Sequence, residues 1–304
     1  MAASAMEEPD QGGVDPRLLH PRKPGTALPP GACDCHAHLF EDPADVPAPS
    51  NPHAKYTLAP FAAYRSMLAS VGVSRAVLVQ PSAYGADHTA LLKALALCPH
   101  EMRGVAVKPA DVSDGELEAL NRAGVKGLRF NQLVGPGSNI DTTHLPKLAS
   151  RMRDLGWHAQ IYATCDFLAQ ALPELLKANV PIVIDHLARV GPEPRSTEDP
   201  AFQYIRDSLR EGRIWLKLTT YRNSREPGAC SDMRPFHDAF VNANADRLLW
   251  GSDWPYLSTL NGSPPDTGDL IDLVGDWVQD SGLRRKIFSA NPAELYGFED
   301  ISGA

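Results

Sequence analysis

Three short segments carry side chains whose types and spacing suit acid–base or metal chemistry. The first is Asp34-Cys35-His36-Ala37-His38. Side chains alternate along an extended strand, so residues 34, 36 and 38 are expected on one face, with both imidazoles pointing the same way. Two neutral imidazoles offer lone pairs to a divalent ion, or N–H donors to a developing oxyanion. A pair of polar residues on an exposed strand would carry the same pattern. The second segment, Pro181-Ile182-Val183-Ile184-Asp185-His186, is apolar until its last two residues. His186 therefore falls where a buried strand leaves the core, as a reactive group or as a hydrogen-bonded strand end. The third is Leu248-Leu249-Trp250-Gly251-Ser252-Asp253-Trp254-Pro255. A carboxylate closing an apolar run is unfavourable to bury without a partner. Asp253 is then either a cap of the following turn or a functional carboxylate on which the three histidines converge.

Asp253, His186, His36 and His38 together provide a general base and a set of electrophilic groups. His36, His38 and Asp253 also make an open three-ligand set for a single zinc or other divalent ion, which would act as Lewis acid and lower the pKa of bound water. Cationic and hydroxyl groups lie near the same kind of position: Arg129 after Gly127-Leu128, Gln160 and Tyr162 in the fifth apolar run, Ser82 after Gln80-Pro81, Tyr56 in the loop His53-Ala54-Lys55-Tyr56, and Thr220-Tyr221-Arg222 with Arg225 close by. Several guanidiniums around one opening suit bidentate recognition of carboxylates; singly, each reads as a solvated arginine. His20, His88, His100, His144, His158 and His237 fall at no strand exit and read as ordinary loop or helix residues. The glycine-x-serine-x-glycine elbow, the dinucleotide glycine fingerprint and the Walker loop are all missing from the sequence.

These groups need a scaffold that gathers many strand ends. From residue 32 onward, short apolar or β-branched runs alternate with amphipathic stretches of helical period. The runs span 33–38, 75–80, 103–107, 125–130, 158–163, 181–186, 214–219 and 247–253. Several are continuously apolar, as in strands buried on both faces. Helical stretches such as FAAYRSMLASVG, GELEALNRAG and LPKLASRMRDLG end on glycine, a helix-stop signal. Two more helices are expected around 233–244 and 269–279. Eight strand–helix units point to a single-domain α/β protein, a (β/α)8 TIM barrel. A doubly wound open sheet is the alternative; the regular repeat and the missing phosphate turn favour closure. In such a barrel, chemistry sits at the C-terminal strand ends, which is where residues 36, 38, 82, 129, 162, 186, 222 and 253 fall. Residues 1–31, rich in proline, glycine and charge, read as a flexible arm or a strap across the barrel, with the barrel itself over 32–304.

The 304 residues, 43% hydrophobic and 22% charged, can bury a large core. A formal charge of −8 disfavours nucleic acid and anionic membrane as partners but leaves room for a local positive field. No stretch approaches the ~18 apolar residues of a membrane span, and the acidic N-terminus is no secretory signal. Five cysteines, with Cys33-x-Cys35 matching neither a zinc knuckle nor a redox pair, suit a reducing cytoplasm. A monomer or small homo-oligomer is expected.

Asp34-x-His36-x-His38, Asp185-His186, Gly251-Ser252-Asp253-Trp254-Pro255 and the closing Asn291-Pro292-Ala293-x-Leu295-Tyr296-Gly297-Phe298 resemble the amidohydrolase superfamily. Gln80-Pro81-Ser82 and Gly127-Leu128-Arg129-Phe130-Asn131 are similar to its 2-pyrone-4,6-dicarboxylate lactonase-like branch. The likeness covers about residues 32–299. It implies a hydrolase that opens a small carboxylate-bearing, or otherwise acidic, lactone of muconolactone or pyrone type. It implies Asp253 as the base that activates water, His186 as the group polarising the carbonyl with His36 and His38 beside it, and Arg129, Arg222, Ser82, Tyr56 and Tyr162 as substrate-binding groups. Two departures matter. The superfamily's two-metal centre needs a carboxylate or modified lysine at the fourth strand exit and a histidine at the fifth; Arg129 and Tyr162 stand there, which disfavours two metals. The branch also carries a further arginine after the fourth-strand motif, where this chain has Gln132-Leu133-Val134-Gly135. A substrate with one fewer carboxylate, or a different acidic group, follows. The leading expectation is no obligatory cofactor, with a single zinc or other divalent ion as the variant. Three rivals stand beside hydrolysis: a sugar-acid lactone isomerase such as a galactarolactone isomerase, a metal-dependent decarboxylase of the same superfamily, and a non-catalytic barrel that binds a small acid.

Overall fold

A computed structural model describes residues 16–46, 58–133, 140–191, 195–226, 228–257 and 264–299. Eight strands run parallel in sequential order: β1 Cys33–Ala37, β2 Arg75–Val79, β3 Met102–Ala106, β4 Val125–Asn131, β5 His158–Tyr162, β6 Ile182–Ile184, β7 Trp215–Lys217 and β8 Leu248–Leu249. The ring is completed between its ends: Cys35 N–H donates to the Trp250 carbonyl at 2.9 Å, and Asp253 N–H to the His36 carbonyl at 2.7 Å. The protein is a (β/α)8 barrel, as the eight-fold alternation implies.

The helices are α1 Pro16–Leu19, α2 Phe61–Val71, α3 Thr89–Leu97, α4 Asp114–Arg122, α5 Leu145–Asp154, α6 Cys165–Leu175, α7 Pro200–Arg210, α8 Arg234–Asn244, α9 Thr267–Trp277, α10 Ser281–Arg285 and α11 Asn291–Tyr296. Their starts follow local chemistry. Ser113 and Glu116 close a capping box at α4, and the Asp199 and Thr164 side chains cap α7 and α6. Leu117 and Leu120 of α4, and Leu145, Leu148 and Met152 of α5, are buried in the main core between helices and strands. A smaller cluster fills the inside of the ring: Cys33, Cys35, Val77, Val79, Val105, Val183, Trp215 and Leu249, closed below by Tyr296 and Phe298.

Most strands are shorter at their C-terminal ends than the apolar runs predict, whereas β4 runs one residue longer, to Asn131. β6 stops at Ile184 and β8 at Leu249, two and four residues short of the expected ends at 186 and 253. The missing residues have left the ladder to line the mouth. Residues 22–26 lie against α9: Arg22 pairs with Asp269 and Asp272, both at 2.6 Å, and the Gly25 and Thr26 N–H groups donate to Asp272. Residues 1–15, the rest of the segment read as an arm, lie outside the described residues. Among the described residues no helix is long and apolar enough to cross a membrane. All five cysteines are buried and free.

Candidate active site

The inward side chains at the C-terminal strand ends form one connected polar cluster. Its first part comes from β1, where the strict alternation fails. The β1–β2 register shifts between Asp34 and Ala37, while Cys33 and Cys35 belong to the inner cluster. Asp34 therefore does not share a face with the two histidines. It is fully buried behind the strand, accepting from Tyr64 Oη of α2 at 2.9 Å and from the Ser252 N–H at 2.8 Å. Its pKa is pushed up to about 6 by burial, against the pull of these hydrogen bonds. The irregularity turns His36 and His38 inward together, with their Nε2 atoms 3.3 Å apart.

Hydrogen bonds constrain the imidazole protons. His38 Nδ1 lies 2.8 Å from the Val79 carbonyl, which can only accept, so the neutral ring carries its proton there and leaves Nε2 with a lone pair. His36 Nδ1 lies 3.3 Å from Lys217 Nζ and 3.2 Å from Asp185 Oδ1. The Lys217 contact has hydrogen-bond geometry, while Asp185 Oδ1 is left unpartnered. His36 Nδ1 is thus shared between Lys217 and the Asp185 carboxylate, and its Nε2 faces the mouth. Burial lowers the His36 pKa to about 3, so the ring is neutral at physiological pH.

Asp253 sits opposite. Its Oδ2 accepts from Tyr221 Oη at 2.7 Å and from Arg222 Nη1 at 2.5 Å. Its Oδ1 is buried without a hydrogen-bond donor among the described residues, 3.4 Å from His38 Nε2 and 3.7 Å from His36 Nε2. Burial opposes ionisation, but Arg222 outweighs it and holds Asp253 well below the usual carboxylate range. One oxygen is thus clamped and the other is free to accept a proton.

His186 follows β6 on an unusual backbone. His186, Leu187, Ala188 and Arg189 all have positive φ, between 48° and 55°, where a Cβ crowds the following carbonyl. Asn223 Nδ2 holds the turn by donating to the His186 carbonyl at 2.6 Å. The His186 ring packs 4.6 Å from His36 and 5.2 Å from Tyr162, and neither ring nitrogen has a partner among the described residues. Burial drives its pKa well below the usual value, so one N–H and one lone pair are available.

The structure also joins residues that the motifs do not reveal. Lys217, the last residue of β7 and fully buried, donates to Gln160 Oε1 at 2.7 Å. Gln160 in turn donates to Asp185 Oδ2 at 3.1 Å, and Arg129 Nε donates to the same oxygen at 3.2 Å. Burial resists the Asp185 charge, yet Lys217 and Arg129 keep it ionised. Arg189 lies with Arg129 and Arg222 around the Tyr162 ring, the three guanidinium carbons 5.6, 5.2 and 5.4 Å from its centroid. Tyr162 Oη accepts from Arg222, and Ser82 Oγ accepts from Asn131 at 3.2 Å. Tyr56 lies outside the described residues. Lys217 is hidden in Ile214-Trp215-Leu216-Lys217-Leu218 because nothing around it departs from an ordinary strand. Asp185, Gln160 and Arg129 are each legible in the sequence, but their connection through Lys217 is not.

His36 Nε2, His38 Nε2 and Asp253 Oδ1 lie within 4.8 Å of one another and fit a single divalent ion. His36 would then carry its proton on Nδ1, facing Asp185, and present its lone pair from Nε2. A second group, His36, Asp185 and His186, is equally compact, but Asp185 is already held by Arg129 and Gln160.

The amidohydrolase family profile matches residues 33–298. A 4-sulfomuconolactone hydrolase from Rhizobium radiobacter is 33% identical over 298 residues, covering 95% of this chain and 98% of that protein. A 2-pyrone-4,6-dicarboxylate hydrolase from Comamonas testosteroni is 32% identical over 300 residues, 93% and 95% of the two chains. The solved structure of a probable 2-pyrone-4,6-dicarboxylic acid hydrolase from Acinetobacter baumannii, with citric acid bound, superposes with a TM-score of 0.75 at 29% identity, over 88% of this chain and all 100% of that one.

Proposed function

This chain belongs to the amidohydrolase family, and we propose that it hydrolyses a small acidic lactone by attack of water on the ring ester. The observation that carries this reading is the division of labour on Asp253: Oδ2 held by Tyr221 and Arg222, Oδ1 free beside two imidazoles. Relatives named for opening sulfonated and carboxylated lactones support the substrate class. The ring of arginines supports an anionic substrate.

In this reading a water sits beside Asp253 Oδ1, which accepts from it. It attacks the lactone carbonyl carbon as its proton passes to Asp253. His36 Nε2–H and the free N–H of His186 point at the carbonyl oxygen and stabilise the charge that develops on it. The ester C–O bond then breaks, and protonated Asp253 returns the proton to the departing ring oxygen. Arg129, Arg222, Tyr162 and Ser82 are the groups assigned to binding. Tyr56 belongs to the same proposal by resemblance alone. A divalent ion held by His36, His38 and Asp253 would supply Lewis-acid polarisation to the same step. The chain's own donors and base complete it as written, so no obligatory ion is part of the proposal. Five buried, free cysteines support a reducing compartment.

Proton release in weakly buffered solution tests the reaction, because hydrolysis makes a new acid and isomerisation does not. Offered a panel of carboxylated and sulfonated lactones, the wild type is expected to acidify the medium. Asp253→Asn is expected to lose at least about 10³-fold in kcat, the scale of a positioned base, with its fold retained. Conversion of a lactone without acid release would favour the isomerase; undiminished release by Asp253→Asn would assign the base elsewhere.

A further inference from the structure

Three guanidiniums surround Tyr162, but only two have counter-charges. Arg129 is paired with Asp185 and Arg222 with Asp253. Arg189 has no carboxylate partner among the described residues, and its Nε is buried without a hydrogen bond. A guanidinium has five donors and no acceptor; Arg189 is half-buried, and its Nε, shut away from water without an acceptor, is unfavourably placed. Something else keeps it there. The left-handed turn 186–189 carries Arg189 and His186 to the same ring of Tyr162. Backbone strain of this kind concentrates at ligand sites, where surrounding structure enforces it. Enforcement is visible on both sides of the turn: Asn223 bonds the His186 carbonyl, and a Cβ on Gly191 would stand 1.9 Å from the Asn223 carbonyl oxygen. Meanwhile the exit of β4 offers no further cation, since Gln132 follows Asn131 and bonds Thr142.

We infer that Arg189 is the anchor for the acidic group of the substrate, and that it selects oxyanion-bearing rings over neutral ones. This rests on the lactone-hydrolase reading for its substrate. Binding Arg189 would place the anion beside Tyr162 and leave the Arg129–Asp185 and Arg222–Asp253 pairs intact. Carboxylate and sulfonate share the required chemistry, oxygens that accept two N–H bonds from one planar fork.

The test separates binding from turnover. Titration calorimetry measures Kd for benzoate and for benzenesulfonate, cyclic anions with no ester to cleave, on the wild type, Arg189→Met and Arg189→Lys. The anion that the wild type holds more tightly identifies the acid class. For that anion we expect Arg189→Met to raise Kd by about 10- to 100-fold, the scale of hydrogen bonds to a charged group, and Arg189→Lys to recover part of it. In parallel, Arg189→Met should lose kcat/KM on an acid-bearing lactone through KM, while the methyl ester of that lactone is turned over as by the wild type. Failure of the wild type to bind either anion, an unchanged Kd in Arg189→Met, or equal losses on the acid and its ester overturns the inference. If Arg189→Met does not fold, Arg189→Lys decides: the loss of the planar fork should still raise Kd several-fold, and a wild-type Kd would overturn it. Anion binding that depends on Arg189, in a protein that opens no lactone, would uphold the anchor and sink the lactonase reading instead.

Discussion

Lys217 determines what the imidazoles can do, and it is the least conspicuous residue in the site. Its Nζ lies 3.3 Å from His36 Nδ1, and a donor there favours the tautomer with the proton on Nε2, the one that the proposed reaction needs as oxyanion donor. It also props Gln160, and through it Asp185. Replacing it by methionine keeps the length and apolar stem but removes the donor. Taking one member from a buried charged network costs about 3 kcal/mol, so Tm of Lys217→Met should fall by about 5–10 °C. A positioning role adds a kinetic signature that lost stability alone would not give. Below the new Tm, kcat should drop about 10- to 100-fold with KM little changed; a wild-type kcat would contradict the assignment. At this scale the sequence is uneven. His36, His38, His186 and Asp253 are visible because polar residues interrupt apolar runs. Lys217 and Arg189 are not, since the first depends on which face of a plain strand turns inward and the second on an unusual backbone.

Single elements decide where these residues point. In β1 the shifted register breaks the alternation, sending Asp34 behind the strand and two histidines into the mouth. After β6, the left-handed turn is bolted to the β7 exit through Asn223, and Gly191 permits the close approach. Gly191→Ala tests this bolt. The added methyl cannot fit 1.9 Å from a carbonyl oxygen, so the turn must move away from β7. A displaced His186 should lower kcat/KM at least about 10-fold, because a shift of about 1 Å in a catalytic group can cost 10²-fold. Wild-type kinetics in Gly191→Ala would mean that the turn is not what positions His186.

Across the whole molecule, folding holds histidines neutral in the interior. Burial lowers His158 to about 3, helped by Lys217, and His88 to about 4, helped by Lys108. An unfolded histidine titrates near 6.5. Below that pH the unfolded chain binds protons that the folded chain refuses, so stability rises with pH in this window. The contribution is complete above about pH 6.5 and shrinks as pH falls towards 4, before most carboxylates titrate. The urea midpoint should therefore be flat above pH 7 and decline steadily from 6.5 to 4, with a shallower decline in His158→Gln. A midpoint unchanged between pH 7 and 5 would rule out neutral buried histidines as the cause.

What the sequence by itself determined is the architecture and the candidate set of polar residues. Eight apolar runs of strand length, each followed by an amphipathic helix, have one economical closure, and a barrel brings all strand exits to one face. Motifs at those exits supplied the imidazoles, the carboxylate and two of the arginines. Only the tertiary structure decided the pairings: which Asp253 oxygen is free, which groups face the His36 and His38 nitrogens, and which arginine is left without a counter-charge. Those depend on distances of about 3 Å between residues far apart in the chain, and a local pattern fixes the face of a strand but not what lies across the ring.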